Sequence, residues 1–122
     1  MGAVYSNLRT YSMTRGDTKG YKFRRKDKTG AVIFGDPDAM YVTIKTGWNT
    51  SRILIQIPLE EMTQSEDGYW HFHFESTDTG PLPYGTYCGD VEVHTNGATF
   101  TISKFYLKLT DEATWSSGER EF

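Results

Sequence analysis

The chain has a single cysteine, Cys88, in 122 residues. A lone thiol closes no intramolecular disulfide and builds neither a redox pair nor a cysteine zinc site within one chain. Such sparing use suits a reducing compartment. No run of about 18 apolar residues occurs, so no membrane-spanning helix is encoded. Residues 1–13 lack the continuous apolar stretch of a secretory signal. There is no excess of positive charge: 13 basic residues face 16 acidic ones, for a net charge of −3. That balance excludes nucleic acid as the main partner, because phosphate binding draws its affinity from a basic surface. No glycine-rich loop precedes a helix, and no sustained helical apolar stripe is present.

Aromatic residues are abundant at 15%, and there are twelve glycines. Aromatics favour pleated, half-buried surfaces, and glycines supply tight turns. A length of 122 residues predicts one domain. A domain this size buries roughly two-thirds of its unfolded surface and folds without staples.

Alternation with a period of two dominates from Lys19 onward. Tyr21 and Phe23 share one face, as do Met40, Val42 and Ile44; Ile53, Ile55 and Ile57; Trp70, Phe72 and Phe74; and Tyr87, Gly89, Val91 and Val93. Pro58 ends its strand because it donates nothing to a ladder. Residues Pro58 to Gln64 read as one helical turn or plain loop, and Glu66-Asp67-Gly68 as a tight turn. Asn96-Gly97 is a strong hairpin signal, since a type I′ turn needs positive φ at both central positions. Phe100 and Ile102 share one parity, whereas Phe105, Leu107 and Leu109 have the other. One extra residue near Ser103-Lys104, a β-bulge, would restore a single apolar face. Seven or eight short strands at this spacing predict an all-β sandwich or small barrel. The expected boundaries are an extension over 1–12, the β-domain over 13–110 and a polar, acidic tail over 111–122.

Few residues suggest chemistry. His71 and His73, two apart on a strand, emerge on one face, and with His94 they form the one conceivable metal set. Three histidines without recognised ligand spacing read as surface residues, so neither a metal nor a cofactor is expected. Arg15-Gly16-Asp17 reads as a turn into the first long strand rather than an integrin-type ligand. Asp36 and Asp38 flank Pro37 and read as a proline turn rather than a calcium loop. The basic cluster of Lys22, Arg24, Arg25, Lys26 and Lys28 reads as a solvated strand face and hairpin end. No Ser-His-Asp arrangement has context, and no pair among the acidic residues stands out as glycosidase carboxylates, so the expectation is a protein that is not an enzyme. Trp48, Tyr84 beside Pro83, and Trp115 are the expected partner-binding residues, because tryptophan is enriched where proteins meet. Packing on the domain's own edges is the alternative for the two tryptophans.

Three phrases carry a resemblance: Thr14-Arg15-Gly16-Asp17-Thr18, the aromatic strand ending in Asp27-Lys28-Thr29-Gly30, and Leu82-Pro83-Tyr84-Gly85-Thr86-Tyr87 followed by Asp90-Val91-Glu92-Val93. Over about residues 13 to 110 the chain resembles the N-terminal immunoglobulin-like domain of phage baseplate upper proteins. Ala31 to Asp38 departs from that pattern, and residues 1–12 precede it. The resemblance implies an immunoglobulin-like β-sandwich of seven to eight antiparallel strands. It further implies a non-enzymatic structural or adaptor module of a phage or prophage virion, in the tail or baseplate. The implied partners are other phage structural proteins or copies of itself as a homo-oligomer, without nucleic acid or membrane. The implied location is the virion, or the bacterial cytoplasm before assembly. The alternative is a carbohydrate-binding or adhesin-type β-sandwich using Trp48, Trp115 and tyrosines, and a third reading is a small hydrolase.

Overall fold

A computed structural model describes residues 8–111 and 120–121. Among them the strands are β1 (Thr10–Thr14), β2 (Lys19–Phe23), β3 (Ala39–Lys45), β4 (Ile55–Pro58), β5 (Thr63–Gln64), β6 (Trp70–Phe74), β7 (Gly85–Thr95), β8 (Ala98–Thr110) and β9 (Arg120–Glu121). One 3-10 turn, Leu59–Glu61, follows β4, and one helical turn, α1 (Ser76–Thr79), follows β6. The strands form two sheets, ordered β1-β8-β7-β3-β4 and β5-β6-β2-β9. The all-β sandwich expected from the alternation is therefore present.

The alternation works as elementary geometry requires, because successive side chains of a strand leave opposite faces. Met40, Val42, Ile44, Val91 and Val93 are buried from the larger sheet, and Tyr21, Phe23, Trp70, Phe72 and Phe74 from the smaller one. The sheets are joined by aromatic edges. Tyr11 of β1 meets Tyr21 of β2 at 5.7 Å and 77°, and also meets Phe105 of β8 at 5.9 Å and 80°. Phe74 packs edge-on against both Tyr21 and Phe72 at 5.6 Å. Each such pair is worth about 0.5–1.5 kcal/mol beyond its buried area.

Several expectations are corrected. The pairing is not wholly antiparallel: β1 runs parallel to β8, and β9 runs parallel to β2. Strand β1 begins inside the stretch expected to precede the domain, and its Tyr11 is buried. Ile53 precedes β4 and is exposed, so only Ile55 and Ile57 are core residues of that set. Ser76–Thr79 makes a helical turn with a capping box, Glu75 N–H donating to Asp78 Oδ2 at 2.7 Å.

The last hairpin sets up the site. Asn96 (φ 51°) and Gly97 (φ 76°) make the positive-φ turn expected there, and Asp38 Oδ2 accepts from Asn96 N–H at 3.1 Å. Val91 pairs with Ser103 and Glu92 with Thr101, which leaves Ile102 as the extra residue of β8. The bulge lies one position from Ser103. It puts Phe100 opposite the inward residue Val93, yet Phe100 is 52% exposed and Ile102 39%. At this end Val93 is buried while Phe100 and Ile102 are left uncovered, and β2 of the smaller sheet ends at Phe23.

Candidate functional site

Beyond Phe23 the chain leaves β2 and returns on itself. Asp27 N–H donates to Ala31 O at 2.9 Å, Ile33 N–H to Arg25 O at 2.8 Å, and Lys26 bridges Val32. Gly30 closes the turn with φ +87° and an N–H bond to Asp27 O. This excursion forms one wall of an open groove of about 690 Å³, with Arg24, Arg25, Lys26 and Lys28 along it. The other wall is the end of the last hairpin: Val93, Phe100, Thr101 and Ile102. Cations line one side and uncovered apolar side chains the other.

Among the described residues none of the wall's four cations makes an ion pair. Asp27 is the one carboxylate on the wall, and it is committed to its own turn. Its Oδ1 accepts from Thr29 N–H at 2.8 Å, Thr29 Oγ1 at 2.5 Å and Ala31 N–H at 3.1 Å. The Thr29 side-chain bond, then the backbone bonds, hold this carboxyl below its ordinary pKa. Arg24 is aimed by Tyr69, whose ring lies 4.2 Å from the guanidinium carbon, with Lys22 Nζ at 4.4 Å from the same ring. Partial burial lowers the pKa of Arg25, which remains charged because arginine starts so high. The basic cluster, read from sequence as a solvated hairpin end, is thus one side of a concave surface.

A second set of bonds fixes the wall. Gln64 Nε2 donates to Ile33 O and Gly68 O, each at 3.1 Å, and its Oε1 accepts from Gly35 N–H at 3.0 Å. Gly68 (φ +88°) packs so closely on Val32 that a Cβ would lie 2.3 Å from Val32 Cγ1.

The expected site residues are dispersed. Trp48 meets Tyr106 on the outer face of the larger sheet at 5.8 Å and 60°, with Lys104 Nζ 5.2 Å from its ring. Tyr84 is 53% exposed. The Arg15 guanidinium lies over its ring at 4.3 Å and bonds its hydroxyl at 3.2 Å. Trp115 lies outside the described residues. Arg15-Gly16-Asp17 forms the expected turn: Asp17 N–H bonds Thr14 O at 3.1 Å, and Gly16 N–H bonds Thr79 Oγ1 at 2.9 Å.

The histidines do not converge. His71 and His73 share a face of β6, but His71 Nε2 pairs with Ser65 Oγ at 2.7 Å and His73 Nε2 with Glu75 Oε1 at 2.6 Å. His94 belongs to the other sheet and pairs with Glu92 at 2.7 Å and Thr99 at 3.1 Å, so it is no third ligand for them. No cluster of three or more metal-ligating side chains occurs among the described residues. Ser65, His71 and Asp67 have the composition of a hydrolytic triad but not its wiring. The serine stands between the other two, bonding both, whereas a nucleophilic triad needs the histidine in the middle.

Sequence reasoning missed Phe100 and Ile102 as surface residues. Their one signal was the parity break, which marks a face change and says nothing about what covers the face. Comparisons with protein-family models, with curated proteins and with solved structures find no match. Among the described residues no helix is long and apolar enough to cross a membrane.

Proposed function

We propose that this protein is an immunoglobulin-type β-sandwich serving as a non-enzymatic protein-interaction module of a phage or prophage particle, in the tail or baseplate. The observation that carries the interaction reading is the groove, where half-exposed Phe100 and Ile102 stand opposite four cations without ion-pair partners among the described residues. Apolar side chains left uncovered beside a charged rim are what a docking surface requires.

The fold type is supported by strand order. Taking β2 through β8 as strands B, C, C′, D, E, F and G, β8-β7-β3-β4 follow the G-F-C-C′ order of one immunoglobulin sheet and β5-β6-β2 the D-E-B order of the other. Tyr87 adds a local sign. Its hydroxyl donates to Pro83 O, four residues upstream, at 2.6 Å at the start of β7. That is the geometry of a tyrosine corner. Two residues further, where a disulfide-bonded immunoglobulin domain has cysteine, stands Gly89, against which the Phe105 ring packs. The placement in a virion rests on the resemblance of the three sequence phrases.

The test is mass spectrometry of density-purified particles released from a host carrying the gene. Peptides of this protein at a fixed ratio to the tail proteins are the expected result. Their absence from intact particles would remove the virion assignment.

A further inference from the structure

Resting on the interaction reading above, we propose that the groove binds an extended acidic segment of another protein, with one bulky apolar side chain seated against Phe100 and Ile102 and carboxylates facing Arg25, Lys26 and Lys28. Charge complementarity is the first argument. The protein as a whole is acidic, at −3, yet four cations follow one another on this wall. The carboxylate among them is held by three donors of its own turn rather than in an ion pair, and it offsets only one of the four positive charges. Such a concentration of positive charge steers and orients an anionic partner.

The apolar wall makes the second argument and selects among anions. Phe100 is 52% and Ile102 39% exposed, and both lie along one strand end beside buried Val93. A free phosphate or a small carboxylate would leave this surface wet. A nucleic acid strand would gain one stacking ring and would meet repulsion from the rest of an acidic surface. A peptide with alternating chemistry satisfies both walls, because successive side chains of an extended chain point to opposite sides. At about 690 Å³ the groove has the size of sites that take one large side chain and its neighbours. The wall is also tethered: Gln64 ties it to the β5–β6 turn by two bonds, which lowers the ordering cost of binding.

The test is fluorescence anisotropy with a labelled hexapeptide alternating Glu and Phe, beside the same peptide with Gln for Glu and a twelve-residue oligothymidine. The acidic peptide is expected to bind saturably, and its glutamine counterpart about tenfold more weakly. Phe100→Ser and the double change Lys26→Glu/Lys28→Glu are each expected to weaken binding by about tenfold, with thermal midpoints near that of the parent protein because all three side chains are exposed. No binding of the acidic peptide, equal binding of the glutamine peptide, or tighter binding of oligothymidine would overturn the proposal. So would sedimentation of the protein alone showing a dimer that Phe100→Ser dissolves, since a second copy would then be the occupant. Because the assay uses purified protein and peptide, it can fail while the protein is still found in particles, and succeed where it is not.

Discussion

At the scale of single residues the fold turns on a few positions where size or charge is decisive. Gly89 is one. A Cβ there would lie 2.4 Å from two ring carbons of Phe105 and 2.9 Å from Ile44 Cδ1. Phe105 is 1% exposed and has no room to withdraw. Gly89→Ala is therefore expected to cost about 3 kcal/mol, the upper end for overpacking a core. Adding Phe105→Leu should recover part of that loss in a denaturation double-mutant cycle. Asp90 is another. Burial, then the neighbouring Glu92, raise its pKa, against opposing pulls from Lys45 and Lys104. A raised folded pKa means the fold favours the protonated acid. Stability is complete below the unfolded pKa and falls as pH rises through the folded value. Asp90→Asn removes that loss, so its melting temperature is expected to exceed that of the parent at pH 7, with the difference vanishing near pH 3. Cys88 is inert by the same reasoning, since burial raises its thiol pKa and keeps it protonated.

At the scale of elements, the closing hairpin shows what alternation tells and what it leaves out. Asn96-Gly97 announced its turn because only a positive-φ pair matches the strand twist. Gly97→Ala, at φ +76°, is expected to cost about 1 kcal/mol in chemical denaturation, with the loss of hydrogen-exchange protection confined to β7–β8. The bulge was legible to within one residue from the parity of Phe100, Ile102 and Phe105. The exposure of Phe100 was not, because parity names a face while its burial depends on how far the opposite sheet extends. Here β7 and β8 have 11 and 13 residues, whereas β2 and β6 have five each. The longer pair overhangs, and its inward side chains become one wall of a groove. Strand β1 escaped notice for a related reason. Its signal is two apolar residues, Tyr11 and Met13, and its partner Tyr106–Thr110 lies at the far end of the sequence in a parallel pairing, which no local pattern announces.

At the scale of the whole molecule, the chain is a sandwich closed along its middle by stacked aromatic edges and open at one end. Turn chemistry made the architecture readable: Gly68 and Gly97 both adopt positive φ where turns were expected. The groove was less readable because it joins residues around position 25 to residues around position 100, and each set alone looked ordinary, one a solvated basic run and the other a strand. Ser65 bonds both Asp67 and His71, and His73 and His94 pair separately with Glu75 and Glu92. On the proposed reading, the groove at the open end of the sandwich is the working surface. Its most direct test is site-specific photocrosslinking in intact particles, with benzoylphenylalanine at position 100 and, as a control, at exposed position 60. An adduct to a second particle protein from position 100, and none from position 60, is the predicted result. Particles that contain the protein yet give no adduct from position 100 would contradict the account.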